Sequence, residues 1–445
     1  MRGYKNTETS MLPNDWVVKE LKDINTYKNR TINPTLYKDE IFEYYSIPAY
    51  QNGEKPEFSK GSLIQSNKFL FDEGTVVFGK LNPRVEKVWR IGNISAHRKI
   101  GTTEWIAVKP NDEITTDFLY FLEWSVFVMP LAKTLVTGST PSRQRVDPTS
   151  FYKIKIPIPP IIEQQRITYI LNTIKKAIAI QEQIIQNTVE MKRSLMKYLF
   201  SEGVSGQKLK QSEVGLIPVN WNVKSLIEIV DFIDYGVSQA IPKQAPNNGI
   251  KIVSTADITK EGDLLYDQIR TIEVPQRTAQ KLKLNDGDLL FNWRNSAELI
   301  GKSTIFHEQS EPHIFASFIL RINCGERKSH NYFLKYLMNH YREEGVFIKL
   351  SRRAVNQANF NRNEISVLPI PVPPYQEQVE IAKLIGTVER KINHHKNKRD
   401  LFYDLFKTLL NDLVTGQRRV DKIDFRILSK EYEAVEAQLD LAAEI

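Results

Sequence analysis

The sequence predicts an α+β protein, with two tandem, pseudo-repeated α/β domains joined by two long antiparallel helices that form a coiled-coil-like spacer. Three observations carry this. At 445 residues the chain exceeds one ordinary hydrophobic core. It also contains itself twice: Pro157-Ile158-Pro159-Pro160 followed by Glu163-Gln164 recurs 214 residues later as Pro371-Val372-Pro373-Pro374 followed by Glu377-Gln378. After each copy an apolar stripe at helical spacing begins.

In the first stripe Ile167, Leu171, Ile174, Ile178, Ile185, Leu195 and Leu199 step by threes, fours or their multiples; in the second, Ile381, Ile385, Val388, Ile392, Phe402, Phe406, Leu409 and Leu413 keep the same register. Proline precedes each helix, and Gly203 or Gly416 follows it, which is the expected start and stop chemistry. At roughly 38 residues each helix would extend ~57 Å, more than a small domain needs for its own core, so each requires a partner. An antiparallel pair with facing stripes meets that need. Gln181 and His395 are polar residues in mid-stripe. In such a pair they can meet and fix register, or both can reach solvent. Lys192 and Arg399 also interrupt the stripes, so looser packing than in a regular zipper is expected.

The repeat continues upstream of the helices. Leu12-Pro13, Trp16 and Leu21 match Ile217-Pro218, Trp221 and Leu226, and Glu73 to Phe78 resembles Asp286 to Phe291. Stretches such as Thr75 to Phe78 and Phe315 to Ile322 read as strands, and Phe118 to Phe127 and Tyr332 to Tyr341 as short helices. The predicted organisation is a first domain over 1–160, a spacer helix over 161–203, a second domain over 204–374, a second spacer helix over 375–416 and a tail over 417–445.

A hydrophobic content of 41% and a charged content of 26% exclude wholesale disorder and a fibrous repeat. The absence of a long apolar run or an apolar leader at the N-terminus argues against membrane and secretory readings and for the cytoplasm. The single cysteine, Cys324, cannot build an internal disulfide or a cysteine metal cluster. A formal charge of +8 favours a polyanionic partner.

The duplicated proline strand end leading into Glu-Gln, the long helix after it and the Leu-Pro-x-x-Trp segment (Leu12 to Trp16, Ile217 to Trp221) resemble those of type I restriction-modification specificity subunits. The resemblance covers nearly the whole chain. It implies two target recognition domains, each reading one half-site of a bipartite double-stranded DNA target, with the helix pair setting the gap. It further implies assembly with two methyltransferase subunits and with restriction and motor subunits. S-adenosylmethionine, ATP and magnesium are expected on those partners, with no cofactor on this chain. Ile170, Ile184, Leu384 and Leu405, beside the inner stripe, are candidates for docking the methyltransferases.

Sequence readout needs side chains that make paired hydrogen bonds to base edges, chiefly arginine to guanine and asparagine or glutamine to adenine. Two polar, basic segments lie just ahead of the proline strands. One runs from Thr137 to Arg145 and offers Arg143, Gln144 and Arg145; the other runs from Ser351 to Asn359 and offers Arg352, Arg353, Asn356, Gln357 and Asn359. Lys80, Asn82 and Arg84 in the first half, with Trp293, Arg294 and Asn295 in the second, form another candidate group. Solvated surface loops are the competing explanation for both groups, and lysine or arginine contacts to phosphate would position the domains without reading sequence.

Catalytic motifs are wanting. Ser296 to Ser303 mimics a phosphate loop but has serine where the first glycine belongs. Val372-Pro373-Pro374-Tyr375 has valine where an amino-directed methyltransferase needs an asparagine or aspartate side chain. His394 and His395 lack neighbours at a metal-ligand spacing. The alternatives are a self-contained restriction enzyme or methyltransferase on the same architecture, and a scaffold that ignores DNA.

Overall fold

The computed structural model describes residues 4–6, 11–242, 244, 246, 249–325, 329–350, 352–354 and 357–420, with the backbone alone at 352–354, 357 and 358. Four helices organise it: α1 (Thr116–Trp124), α2 (Ile161–Glu202), α3 (Asn331–Glu343) and α4 (Tyr375–Val414). At 42 and 40 residues, α2 and α4 are the long helices that the two stripes predict. The chain forms two compact units. One is Met1–Gln181 with the chain from Lys398 onward, and the other is Glu182–Asn397, so each unit holds one end of each long helix.

In the first unit a five-stranded sheet runs in the order Thr31–Ile32, Lys68–Phe71, Lys99–Gly101, Ile41–Tyr45, Glu57–Lys60. Beside it stands an antiparallel sheet of Trp105–Val108, Val76–Gly79 and Val88–Arg90. Its central strand is buried at every position, which explains its unbroken apolar run. The second unit has a four-stranded sheet (Phe232–Tyr235, Ile319–Asn323, Leu289–Asn292, Ser303–Ile305) and a three-stranded sheet (Arg270–Ile272, Ile250–Val253, His313–Phe315). The run from Phe315 to Ile322, expected as one strand, breaks at Ala316–Phe318 into two strands belonging to different sheets. Hydrophobic patterning cannot see that break, because both strands are buried.

The duplicated motif closes each unit in the same way. The proline strand Lys155–Ile158 pairs with Val17–Glu20 just after Trp16, and Pro369–Val372 pairs with Asn222–Ser225 just after Trp221. The carbonyl oxygen of Pro160 accepts from the backbone N–H of Glu163 and Gln164, and that of Pro374 from Glu377 and Gln378. The glutamine then ties two helix starts together. Buried Gln164 donates to the carbonyls of Pro159 and Glu113 and accepts from the N–H of Thr115, the N-cap of α1. Gln378 donates to Pro373 and accepts from the N–H of His330, the N-cap of α3. Such a side chain serves backbone groups that a helix start otherwise leaves without partners.

The glutamate secures the tryptophan. The indole N–H of fully buried Trp16 donates to Glu163 Oε2 at 2.9 Å, and that of Trp221 to Glu377 Oε2 at 3.1 Å. The chain leaving the opposite long helix packs on the same tryptophan. Gly416 follows α4 with φ 69°, and a Cβ there would meet Pro13 at 2.6 Å; Gly203 follows α2 with φ 70°, and a Cβ would meet Glu377 at 2.5 Å. The positive φ calls for glycine at both points, and at Gly416 the Pro13 ring also leaves no room for a Cβ.

The helices run antiparallel. In the first unit the start of α2 (Ile167, Leu171) shares a core with the end of α4 (Leu413, with half-buried Phe406, Leu409 and Leu410). In the second, the end of α2 (Met196, Leu199, Phe200) shares a core with the start of α4 (Ile381, Ala382, Ile385). Of the remaining stripe positions, Ile174, Ile178, Gln181 and Ile392 are buried, while Val388, His395 and Phe402 are half-buried. Lys192 interrupts the stripe because it is ion-paired there, donating to Glu389 Oε1 at 2.6 Å.

A buried carboxyl on α1 is left unmatched. Glu123 on α1 is fully buried, and neither carboxylate oxygen has a hydrogen-bond partner among the described residues. Burial holds its pKa well above the ordinary 4.5, so the carboxyl folds protonated. A raised pKa in the folded state costs stability as pH climbs past the unfolded value. Glu123→Met, which keeps the volume, is therefore expected to stabilise the first unit by ~1–3 kcal/mol at neutral pH. Urea melts should show a larger gain at pH 8 than at pH 5; no gain at either pH would contradict this account of Glu123.

Candidate nucleic-acid interface

In each unit the fold brings the two groups of candidate reading residues together. In the first, the N–H of Asn82 donates to the carbonyl of Gln144 at 2.8 Å, the N–H of Val146 donates to that of Lys80 at 2.9 Å, and Leu81 bridges Arg145. Val136–Thr137 flanks Arg145–Val146 on the other side. In the second unit Arg294–Asn295 pairs with Gln357–Asn359, which pairs with Arg352–Ala354. The correspondence is residue by residue, with Leu81 opposite Arg145 in one unit and Arg294 opposite Asn359 in the other. The frame is therefore shared, while its side chains differ. Lys80 stands where the second unit has Trp293, and Gln144 where it has Ala358.

The first unit presents its cations outward. Arg143 is exposed at the end of the turn Pro141–Arg143, and Arg84 is exposed in the turn after Asn82. Arg145 is also exposed, and its guanidinium forks Glu104, Nε to Oε2 at 3.1 Å and Nη2 to Oε1 at 3.1 Å. Such a pair holds the planar fork in one orientation while contributing little stability at a surface. Lys80 and Gln144 are half-buried. Asn82 adopts the left-handed backbone (φ 49°) that asparagine tolerates, and its Oδ1 is buried without a partner among the described residues. Lys87 supports this turn by donating to the carbonyls of Asn82 and Val85.

In the second unit Trp293 anchors the sheet. Its indole N–H donates to the carbonyl of Ser317 at 2.6 Å, and its ring meets Tyr235 edge-on at 5.5 Å. The Arg294 guanidinium lies over the Phe318 ring at 4.8 Å, a stacking arrangement that keeps a guanidinium flat and in place. Asn295 Oδ1 accepts from the N–H of Ser296. Asn359 is half-buried, and Asn356 lies outside the described residues. Beside Arg294 opens a cavity of about 580 Å³ lined by Gln239, Ser254, Thr255, Arg270 and Phe318. Sequence reasoning missed Gln239 and Arg270, since they stand far from the candidate segments in the chain and carry no local motif.

The mimics of catalytic motifs resolve into structure. Lys302, which a phosphate loop would present to a nucleotide, is buried and donates to the carbonyls of Thr255, at 2.7 Å, and Ile258. Pro374-Tyr375 is the start of α4. His394 and His395 meet edge-on at 5.4 Å, and among the described residues no group of three or more His, Cys, Asp or Glu side chains is placed to hold a metal ion. No helix among those residues is long and apolar enough to cross a membrane. Of the docking candidates, Leu384 and Leu405 are exposed, Ile184 is half-buried, and Ile170 packs against the first unit's core.

The sequence profile of the type I restriction modification DNA specificity domain matches residues 13–190 and again 218–400. The chain is 32% identical over 213 residues to the putative type I restriction enzyme MjaX specificity subunit of Methanocaldococcus jannaschii, an alignment covering 45% of this chain and 48% of that protein. It is 24% identical over 440 residues to the MjaVIII specificity subunit of the same organism, covering 95% of this chain and 97% of that one. Among solved structures, a chain from a study of complex assembly and conformational transition in a type I R-M system aligns over 92% of this chain and 99% of its own, with a TM-score of 0.57 and 17% identity. The S subunit of a type I restriction-modification system from M. genitalium aligns over 89% and 96%, with a TM-score of 0.56 and 13% identity. The two profile matches fall one on each repeat and cover most of the chain, which belongs to the type I restriction-modification DNA specificity family.

Proposed function

We propose that this chain is the non-catalytic specificity subunit of a type I restriction-modification complex. Each unit reads one half of a bipartite double-stranded DNA target, and α2 and α4 set the gap. The observation that carries the reading is the duplicated pairing frame, which holds Lys80, Leu81 and Arg145 in one unit and Trp293, Arg294 and Asn359 at equivalent places in the other. Two copies of one scaffold with different polar side chains suit two different half-sites. Linking the readers through stiff helices raises the effective concentration of the second once the first is bound.

The chemistry then resides on partners. Two methyltransferase subunits carrying S-adenosylmethionine dock on the long helices, where Leu384 and Leu405 offer exposed apolar contacts, and restriction subunits supply ATP- and magnesium-dependent steps. The reading places the chain with the DNA in the cytoplasm. Co-expression with the modification subunit, followed by single-molecule mapping of methylated adenines, is expected to give one split motif with a fixed gap. A continuous motif, or DNA methylation by the purified chain alone, would overturn the proposal.

A further inference from the structure

We infer that Glu389 is a positioning residue that fixes the tilt of the second recognition domain on its helical stem and so the gap between half-sites that the protein accepts. The inference rests on the two-reader proposal. Glu389 projects from α4 and is 14% exposed. Its Oε1 accepts from Lys192 Nζ of α2 at 2.6 Å, while Oε2 accepts from Lys335 Nζ at 3.1 Å and from the Tyr336 hydroxyl at 2.7 Å, both on α3. One carboxylate thus joins both stem helices to a helix of the recognition domain.

That domain helix is itself held firmly. Phe333, Leu334, Leu337 and Met338 are fully buried in the domain core, and Asn339 accepts from the N–H of Ser303 and donates to its carbonyl. Nearer the start of α4, Ile381 and Ile385 pack into the same core. Beside Glu389, by contrast, α3 and α4 border a groove of about 830 Å³ lined by Tyr266, His307, Tyr332, Lys383 and Arg390. At this point along the stem the contact between α3 and α4 is made by the ionic joint. The desolvation that would raise the Glu389 carboxyl is overcome by its two lysines, which hold it at about 2. Stability from this joint is full above the ordinary carboxylate range and is lost only as pH falls towards about 2.

At the matching position the first unit makes a different joint. The counterpart of Glu389 there is Lys175, which lies over the Tyr120 ring at 4.5 Å and donates to its hydroxyl at 2.5 Å. The Glu389 joint is thus a property of the second unit and was not copied with the repeat. One base pair is ~3.4 Å of duplex, so a small change of tilt at the stem suffices to admit a neighbouring gap.

The test maps methylated adenines in cells co-expressing the modification subunit with wild-type chain, Glu389→Gln or Lys192→Met, scoring sites whose halves are separated by one base pair more or fewer. Glu389→Gln is expected to reduce the preference for the wild-type gap by about tenfold while leaving both half-site sequences unchanged. Lys192→Met, which spares the Lys335 pair, should relax the preference less and guards against a folding failure of the first variant. A merely destabilised chain would lose methylation at every gap alike. Unchanged gap preference in a Glu389→Gln protein that still methylates would overturn the inference and leave the two-reader account standing. A continuous motif for the wild type would overturn that account itself, and this inference with it.

Discussion

Glu163→Ala is expected to cost the first unit ~3–5 kcal/mol, because it removes one partner from a buried, charge-assisted network. Glu163 Oε2 accepts from the fully buried Trp16 indole at 2.9 Å. The same carboxylate accepts from Arg419 Nε at 2.7 Å and Nη2 at 3.0 Å, and Arg419 also forks Asp15 at 3.0 and 2.7 Å. Without Glu163 the indole N–H is stranded in the core and the guanidinium keeps only the more exposed Asp15. At ~2–4 °C per kcal/mol for a unit of this size, the melting temperature of that transition should fall by roughly 10 °C. Arg419→Ala is milder, since the arginine is partly exposed and screened. Calorimetry of full-length variants separates the cases; a Glu163→Ala protein melting with the wild type would show that the network contributes nothing.

Changing Arg143, Gln144 and Arg145 together to alanine is expected to abolish recognition of one half-site and leave the other intact. Each lost bidentate contact to a base removes ~1–3 kcal/mol of discrimination, so selectivity at that half should fall by about a hundredfold or more. Alanine retains the backbone N–H and C=O through which 144–146 pair with 80–82, so the frame survives. The corresponding change at Arg294 and Asn295 should degrade the opposite half. Loss of both halves from either variant would mean that the sheets position the complex without reading sequence.

Much of this architecture is legible in the sequence. The repeat of Pro-x-Pro-Pro with Glu-Gln marked both strand-to-helix junctions, and the stripes gave α2 and α4 nearly residue for residue, because local periodicity and proline chemistry determine them. What the glutamate and glutamine do was not legible. Glu163 meets Trp16 and Arg419, and Gln164 meets Glu113 and Thr115, across separations that no local pattern encodes. For the same reason the sequence offers the two candidate groups as unconnected segments, although 80–82 and 144–146 pair directly. Lys192 read as an interruption of a stripe, because its partner Glu389 lies 197 residues away. Gln239 and Arg270 line the cavity beside Arg294 although neither is near it in the chain.

The proposed function requires that the two sheets read DNA independently. Mapping methylated adenines with the Arg143, Gln144 and Arg145 triple-alanine chain beside the wild type tests it most directly. The expected result is a split wild-type motif of which only one half loses its base preference in the variant, at an unchanged gap. Uniform decay of the whole motif, or a motif identical to that of the wild type, would contradict it.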